Sequence, residues 1–481
     1  MATETATDAA DGALDQGIRG GRARGVIVAL SRNAYALWGA FLLVHVVLWL
    51  CALFGDGMPL GDVTIVYLPW AQLAQHGYAF MGVTAPWVYP LVAMVPVLIP
   101  LLAGADNYVI AWLAMVTIFD VVAFAVLTAR GRRRAVIAAW WWLGFLLLLG
   151  PIAVGRLDAV SVAIVIVAVV WLAARPRVAS VLLAVAMWIK VWPAAVILAV
   201  VVAMRHRWRV VGYVLLTSAV IAIVGMAFGG AADLFSFVTQ QTGRGLQIEA
   251  PVSAPWLWAA ALHAEGTIVY YDQQLLTFQV TGRGIGAVSA AMTPALVLAV
   301  IAVALVGVRA VVRKAPSALV LPQLALAITT ALIAFNKVGS PQYIDWLAAP
   351  VILGIITAGR RFCTPAILVG VTAALTQLFY PYLYLQLLYL NAWMIAAVTA
   401  RNIMLFVVLG WAVVALWRTG TRGRLETSAD VVPEAQQPPG QVWPLEPGTD
   451  GRDAATSPVS DDDGAATREP SADELFPDQA R

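Results

Sequence analysis

The chain has 481 residues, of which 61% are hydrophobic and 12% are charged, and its mean hydropathy is +0.82. Soluble domains carry about 25% charged residues, so this composition excludes a soluble multidomain protein and predicts helices that cross a membrane. The formal net charge is +3. The two cysteines, Cys51 and Cys363, lie in or beside apolar runs, which excludes a disulfide framework.

The two ends of the chain are polar. Arginines precede the first apolar run, which is too long for a removable signal and lacks a small-residue cleavage site, so we predict a cytoplasmic tail over 1–34 followed by an anchor. Residues 425–481 hold 13 of the 27 acids and are rich in Pro, Gly, Asp and Ala. We therefore predict that 419–481 is a disordered acidic tail, also cytoplasmic.

Between the tails, apolar runs alternate with short arginine clusters, which mark cytoplasmic loops of a plasma-membrane protein. The stretch 178–204 is basic at both ends but too short to cross twice, so we predict two half-helices that meet near 189–193. Long outer loops are expected at about 55–106, 229–285 and 381–400. The predicted spans are 35–54, 107–129, 135–150, 157–174, 209–228, 286–308, 318–335, 343–359, 363–380 and 401–417.

This path places nine of the ten acids of residues 16–424 outside the membrane or at its outer edge, with Asp120 as the exception. Ionisable groups in or near a membrane are costly and usually functional, so the outer face is the predicted working face. Asp62 follows the first span and could act as a general base toward a hydroxyl, although an Asp here, taken alone, is more simply a helix cap.

Cations on the same face could bind a phosphate. Lys190 lies in the predicted helix break, has no acid nearby in sequence, and is more simply a phosphate ligand than a structural residue. Lys337, Arg244 and Arg401 complete the predicted phosphate set. The predicted substrate contacts are Tyr67, Tyr89, Arg156, Asp158, Gln247, Glu249, Asn336 and Gln342.

Simpler explanations exist for several of these residues. Tyr89 could belong to an interfacial aromatic belt, Arg156 and Asp158 could form a salt bridge or a cap, and the segment around Glu249 could be a solvated loop. The histidines lack partners at ligand spacing, so we expect no metal site of the His/Cys type.

Several motifs occur in a characteristic order: Gly61-Asp62, Tyr89-Pro90, the turn Gly155–Asp158, Lys190 followed by Pro193, Arg244–Glu249, Asn336–Gln342 and Arg401-Asn402. Together they resemble the GT-C polytopic glycosyltransferases, specifically the family-87 mannosyltransferase-like proteins of actinobacteria, over about 35–418. Two motifs depart from the family pattern: Pro90 is followed by Leu91, and the turn reads Gly-Arg-Leu-Asp. These departures bear on the identity of the donor sugar more than on the reaction class.

The resemblance implies an all-α GT-C bundle of about 10–13 transmembrane helices, some of them broken or re-entrant, with an extracytoplasmic active site. It implies inverting transfer of a hexose, typically mannose, from a polyprenyl-phosphate donor to a hydroxyl of a lipid-linked or cell-envelope glycan. Asp62 would be the base. No cofactor beyond the lipid-linked donor and no nucleic-acid partner are expected. A transporter or flippase, or a non-catalytic lipid-binding partner of envelope assembly, remains the alternative.

Overall fold

The computed structural model describes residues 33–240, 244–273 and 275–429, with side chains described up to 421. Of the predicted tails 1–34 and 419–481, only 33–34 and 419–429 are described. The prediction of disorder is wrong for 419–429, because the last helix continues through these residues. Within them, eight stretches are long and apolar enough to cross a membrane, and four shorter apolar helices accompany them. The predicted all-α polytopic membrane fold is confirmed.

The helices, in chain order, are α1 Ala34–Phe54, α2 Leu68–Gln75, α3 Met94–Leu98, α4 Tyr108–Thr128, α5 Arg133–Leu149, α6 Leu157–Trp171, α7 Pro176–Ile189, α8 Pro193–Ala203, α9 Arg207–Ala227, α10 Ser236–Thr239, α11 Ala254–Ala261, α12 Ile285–Val312, α13 Ser317–Ala334, α14 Ala348–Ala358, α15 Cys363–Phe379, α16 Tyr384–Leu388 and α17 Ala392–Ala429. Most of them share one apolar core, in which α6, α13 and α14 are the most completely buried.

The predicted helix break is confirmed. Helix α7 ends at Ile189, Lys190 adopts an extended conformation, and α8 begins at Pro193. Proline suits the first helical position because its missing N–H would have no partner there, and its fixed φ favours a helix start. Lys190 therefore lies between the two helices, where its side chain can point into the neighbouring space.

The predicted start of the last span at Arg401 is wrong. Helix α17 begins at Ala392, so Arg401 lies well inside the helix, and the segment 381–400 is not an outer loop throughout. A charge inside an apolar helix suggested a boundary in the sequence. Arg401 is instead fully buried and donates hydrogen bonds to main-chain carbonyls of two other segments, which lets the helix continue.

The predicted outer loop 229–285 contains structure that the hydropathy pattern did not predict. Strands β1 (Leu246–Gln247), β2 (Ile268–Asp272) and β3 (Thr277–Thr281) form a small antiparallel sheet in the order β1-β3-β2. Its apolar side packs with α11 and with the start of α17 in a second, smaller core. The loop is thus a folded cap, and the turn between β2 and β3 brings Leu275 and Leu276 to the functional site.

One ionisable pair lies in the middle of the helix bundle. Both ring nitrogens of His45 are occupied: Nδ1 is 2.9 Å from the carbonyl oxygen of Phe41, and Nε2 is 3.1 Å from Oδ2 of Asp120. A carbonyl oxygen can only accept, so Nδ1 donates to Phe41, while Nε2 forms the second hydrogen bond with the Asp120 carboxyl group. The hydrogen bond to His45 gives the buried Asp120 a partner inside the bundle, away from the polar cavity described below.

We expect Asp120→Asn to be tolerated and Asp120→Ala to be destabilising. The asparagine amide can donate to Nε2 of a neutral His45, whereas alanine leaves that nitrogen buried without a partner, at a cost of about 1–3 kcal/mol. Thermal unfolding of the two purified variants in detergent measures the difference. Equal melting temperatures for the two variants would contradict this account of the pair.

Candidate functional site

A polar cavity of about 280 Å³ lies where the loop after α1, the turn before α6, the α7–α8 break and the sheet of the 229–285 loop meet. Three further segments complete its wall: the turns at 340–343 and 380–384, and the β2–β3 turn. Eight of the predicted site residues line it: Asp62, Tyr89, Arg156, Lys190, Arg244, Gln247, Glu249 and Gln342.

Asp62 is held by Arg156. It opens a π-helical segment, Asp62–Tyr67, whose cap position is occupied by Gly61 without a side-chain hydrogen bond, so the helix-cap explanation of Asp62 is wrong. Its Oδ2 lies 3.0 Å from Nε of Arg156, and the Asp62 side chain remains 35% exposed. The carboxylate is therefore oriented by a cation and still accessible from the cavity.

Arg156 is itself fixed from several sides. Its Nη1 donates to the carbonyl oxygens of Pro59 and Gly155, at 2.9 and 2.8 Å, and its Nη2 donates to the hydroxyl of Tyr380 at 2.6 Å. These bonds use most of the guanidinium donors. Arg156, which we predicted as a substrate contact, therefore acts mainly by positioning the Asp62 carboxylate.

Lys190 has an acidic partner that the sequence did not reveal. Its Nζ lies 3.1 Å from Oδ2 of Asp158, whose Oδ1 accepts a 2.7 Å hydrogen bond from Trp346 Nε1. The ammonium also lies over the ring of Tyr89, 4.3 Å from its centroid. The expectation of an unpaired cation is therefore wrong, because the fold brings the start of α6 against the α7–α8 break.

We expect Lys190→Met to be strongly destabilising and the double variant Lys190→Met/Asp158→Asn to recover most of the loss. Removal of one partner of a buried ion pair costs about 3–5 kcal/mol because the other charge is left uncompensated. Asparagine at position 158 can still accept from Trp346. The melting temperatures of the wild type, Lys190→Met, Asp158→Asn and the double variant give the coupling energy of the pair. A double variant no more stable than Lys190→Met would contradict this account.

Arg244, which lines the polar cavity, and Lys337, which lies beside it, form a second cationic group. The positive charge of Arg244 adds to burial in lowering the pKa of Lys337. The Nε atom of Arg244 is buried without a hydrogen-bond partner among the described residues. Two neighbouring cations with such an unsatisfied donor favour an anion between them.

Glu249 is the second carboxyl group of the cavity. The hydroxyl of Tyr384 donates to its Oε1, and its Oε2 is buried without a hydrogen-bond partner among the described residues. Burial raises the pKa of Glu249, an effect that the Tyr384 hydrogen bond and the charge of Arg401 only partly offset. The two carboxyl groups thus have different environments: Asp62 faces a guanidinium, and Glu249 faces a phenol.

Glu249→Gln should stabilise the protein increasingly as the pH rises. Because the pKa of Glu249 in the folded chain lies above that of the unfolded chain, folding is favoured most while the group is protonated in both states, and this advantage is lost as the pH rises above the unfolded value of about 4.3. Glutamine carries no charge and keeps the acceptor for Tyr384. We expect similar melting temperatures near pH 4 and a higher one for the variant near pH 8; a gap that does not change with pH would contradict this.

Arg401 does not line the cavity. Its Nη2 donates to the carbonyl oxygens of Glu249 and Gly339, at 2.9 and 3.3 Å, from behind the wall. A side chain at Gly339 would collide with the main chain of Glu249 and Ala250, so glycine is what allows the two segments to approach. The predicted phosphate contact by Arg401 is therefore wrong; the residue holds these two segments together.

An apolar groove of about 410 Å³ adjoins the polar cavity and shares Val88, Tyr89, Lys190 and Tyr343 with it. Helices α12 and α13 supply much of its wall, including Met292, Leu296, Leu332 and Phe335. Lys337 and Asn336, two predicted site residues absent from the polar cavity, lie along this groove. The site therefore has a polar half and an apolar half, with cations at their junction.

Two other predicted contacts lie behind the wall. Tyr67 is 1% exposed, packs on Trp112 and accepts a hydrogen bond from the backbone of Leu157, while Asp158 reaches the cavity only through Lys190. Sequence reasoning missed Tyr380, Tyr384 and Phe278, which line the cavity. The run of tyrosines after α15 was a usable signal for the first two, whereas the position of Phe278 depends on the unpredicted sheet.

Within the described residues, no group of three or more His, Cys, Asp or Glu side chains could hold a metal ion. Comparisons of the chain with protein-family models, with curated proteins and with solved structures found no match. The family resemblance drawn from the ordered motifs therefore stays a prediction.

Proposed function

We propose that this protein is a membrane glycosyltransferase that moves a hexose from a polyprenyl-phosphate donor to a hydroxyl group of a lipid-linked or cell-envelope glycan. The observation that carries the proposal is the two-part site. A polar cavity with an oriented, accessible carboxylate adjoins an apolar groove, and Lys190, Arg244 and Lys337 lie at or near their junction. A sugar joined to a lipid through a phosphate has the same sequence of polar, anionic and apolar parts.

Each part of the site has a place in the reaction. The acceptor hydroxyl attacks the anomeric carbon of the hexose, the new C–O bond forms, and the bond between that carbon and the phosphate oxygen breaks. Asp62 takes the proton of the hydroxyl and later releases it to water. The electron pair of the broken bond leaves on the polyprenyl phosphate, whose negative charge the cations stabilise.

The cations have different tasks in this proposal. Arg244 and Lys337, whose positive charges are close together, would bind the phosphate and its developing charge. Lys190, neutralised by Asp158 and covered by Tyr89, would contact the donor at the entrance of the groove rather than bind an anion alone. A single carboxylate base and displacement at one carbon would invert the configuration at that carbon. Mannose is the first sugar to test because of the motif resemblance.

The alternative is a transporter or flippase. Coupling sites of secondary transporters lie near the middle of the membrane, and the His45–Asp120 pair is ionisable and lies there. Both nitrogens of His45 are already hydrogen-bonded within the protein, however, and the accessible carboxylate of the polar cavity is Asp62, which lies beyond the end of α1. We therefore favour transfer over transport.

The experiment is a donor panel. Purified protein in nanodiscs is incubated with polyprenyl-phosphate mannose, glucose or galactose, each labelled in the sugar, and with a membrane glycolipid extract as acceptor. We expect the label of at least one donor to enter a larger glycolipid with the wild type and not with Asp62→Asn. Absence of transfer from every donor, or equal transfer by the variant, would count against the proposal.

A further inference from the structure

A third cavity lies at the end of α1 that is remote from Asp62. It has a volume of about 910 Å³ and is bounded by the start of α1, the end of α4 and the start of α5. The loop with Asp62 follows the other end of α1, so this cavity is well separated from the polar cavity along the helix axes. The arginine cluster at 130–134 borders it, and the sequence predicts that this side is cytoplasmic.

The wall of this cavity is apolar, and its rim is cationic. Small side chains such as Ala125 form part of the surface, Trp38 and Trp140 contribute two indole rings, and Arg133 lies at the polar end. Tryptophan is enriched at the level of lipid headgroups, where its ring has both an apolar body and a donor. The arrangement matches a molecule with an apolar chain and a negatively charged end.

The Arg133 side chain is exposed and makes no hydrogen bond or ion pair with the residues that the structure describes. Its neighbour Arg134 donates to the carbonyl oxygen of Thr357 at 2.9 Å and so has a structural task. The helices α1, α4 and α5 contain a single acid, Asp120, and its carboxylate is bound to His45. Arg133 is exposed at the rim of the cavity instead. An anion at the rim would therefore meet a cation and no nearby repelling carboxylate from these helices.

We propose that this third cavity, between α1, α4 and α5, is a binding site for an anionic phospholipid of the leaflet on the arginine-rich side. In this proposal the acyl chains lie in the third cavity, and the headgroup phosphate binds Arg133 next to Trp38 and Trp140. Basic pockets between transmembrane helices on the cytoplasmic side commonly bind anionic headgroups, and each basic residue near the surface favours them measurably. This proposal does not depend on the proposed transferase activity.

Lipid titration followed by native mass spectrometry tests this site. Full-length protein is titrated with phosphatidylglycerol or with phosphatidylcholine of the same chains. We expect the wild type to bind phosphatidylglycerol more tightly, and Arg133→Gln to weaken that binding roughly fivefold with little effect on phosphatidylcholine. Arg177→Gln is the matched control, because Arg177 is also an exposed arginine on the predicted cytoplasmic side and does not line the third cavity.

A second variant tests whether lipid occupies the third cavity, without a change of charge. Ala125→Phe fills part of the cavity and should lower binding of both lipids, and the retained size-exclusion profile and melting temperature show that the variant is folded. If Arg133→Gln and Arg177→Gln weaken phosphatidylglycerol binding equally, the binding depends on general surface charge and the proposed site is wrong. Lipid binding that appears only after deletion of residues 1–32 would also contradict the proposal, because it would mean that these residues block the third cavity in the full-length protein.

Discussion

Asp62→Asn is expected to lower the rate of sugar transfer by about 10²–10⁴-fold, the contribution typical of a positioned general base. The loss is expected because an amide cannot take the proton of the acceptor hydroxyl. Folding should survive, since the asparagine oxygen can still accept a hydrogen bond from Nε of Arg156 in place of the 3.0 Å ion pair. The measurement is the initial rate at saturating donor and acceptor, with the melting temperature as a check on folding.

Asp56→Asn is the matched control. Asp56 lies in the same loop, is exposed and does not line the polar cavity. Its substitution should leave transfer within a few-fold of the wild type. Near-normal transfer by a well-folded Asp62→Asn protein would remove Asp62 from the mechanism, and Glu249, the other carboxyl group that lines the cavity, would become the candidate base.

Arg244→Gln is expected to lower kcat/KM for the donor by about 10–100-fold, because a hydrogen bond to a charged group contributes about 1.5–3 kcal/mol. Glutamine keeps a polar side chain, but it is shorter than arginine and cannot neutralise a phosphate. Loss of the neighbouring charge should also raise the pKa of Lys337, which Arg244 lowers in the wild type. The KM for the acceptor should change little.

The control for Arg244 is Arg283→Gln. Arg283 lies in the same predicted outer loop, is exposed and does not line the polar cavity. Its substitution should leave the kinetics near those of the wild type. If Arg244→Gln raises the KM of the acceptor and not that of the donor, the arginine binds the acceptor, and the phosphate must be placed elsewhere.

The sequence predicted the membrane fold well because long apolar runs and arginine clusters report directly on a bilayer. Helices α1, α4, α9 and α13 agree with the predicted spans to within a few residues. The break at Lys190 was also predictable, since two basic ends and a short apolar length permit few solutions. Such patterns depend on local composition.

The pairing of charges could not be predicted, because it depends on contacts between distant segments. Asp158 and Lys190 are 32 residues apart, and Asp62 and Arg156 are 94 apart, yet each forms an ion pair. The position of Arg401 inside a helix has the same origin: an arginine whose partners are carbonyl oxygens leaves no signature in the sequence. Contact between remote segments thus decided which cations remain available to a substrate.

The central claim, that this site joins a sugar to an acceptor by displacement of a lipid phosphate, is tested most directly by analysis of both products of one reaction. Wild-type protein in nanodiscs receives the donor found active in the panel, and free polyprenyl phosphate and the new glycoside are quantified together, with the anomeric configuration of the glycoside read by NMR. We predict one polyprenyl phosphate released per glycoside formed, an inverted configuration, and neither product with Asp62→Asn. Intact donor with no new glycoside, or a glycoside that retains the configuration of the donor, would contradict the account.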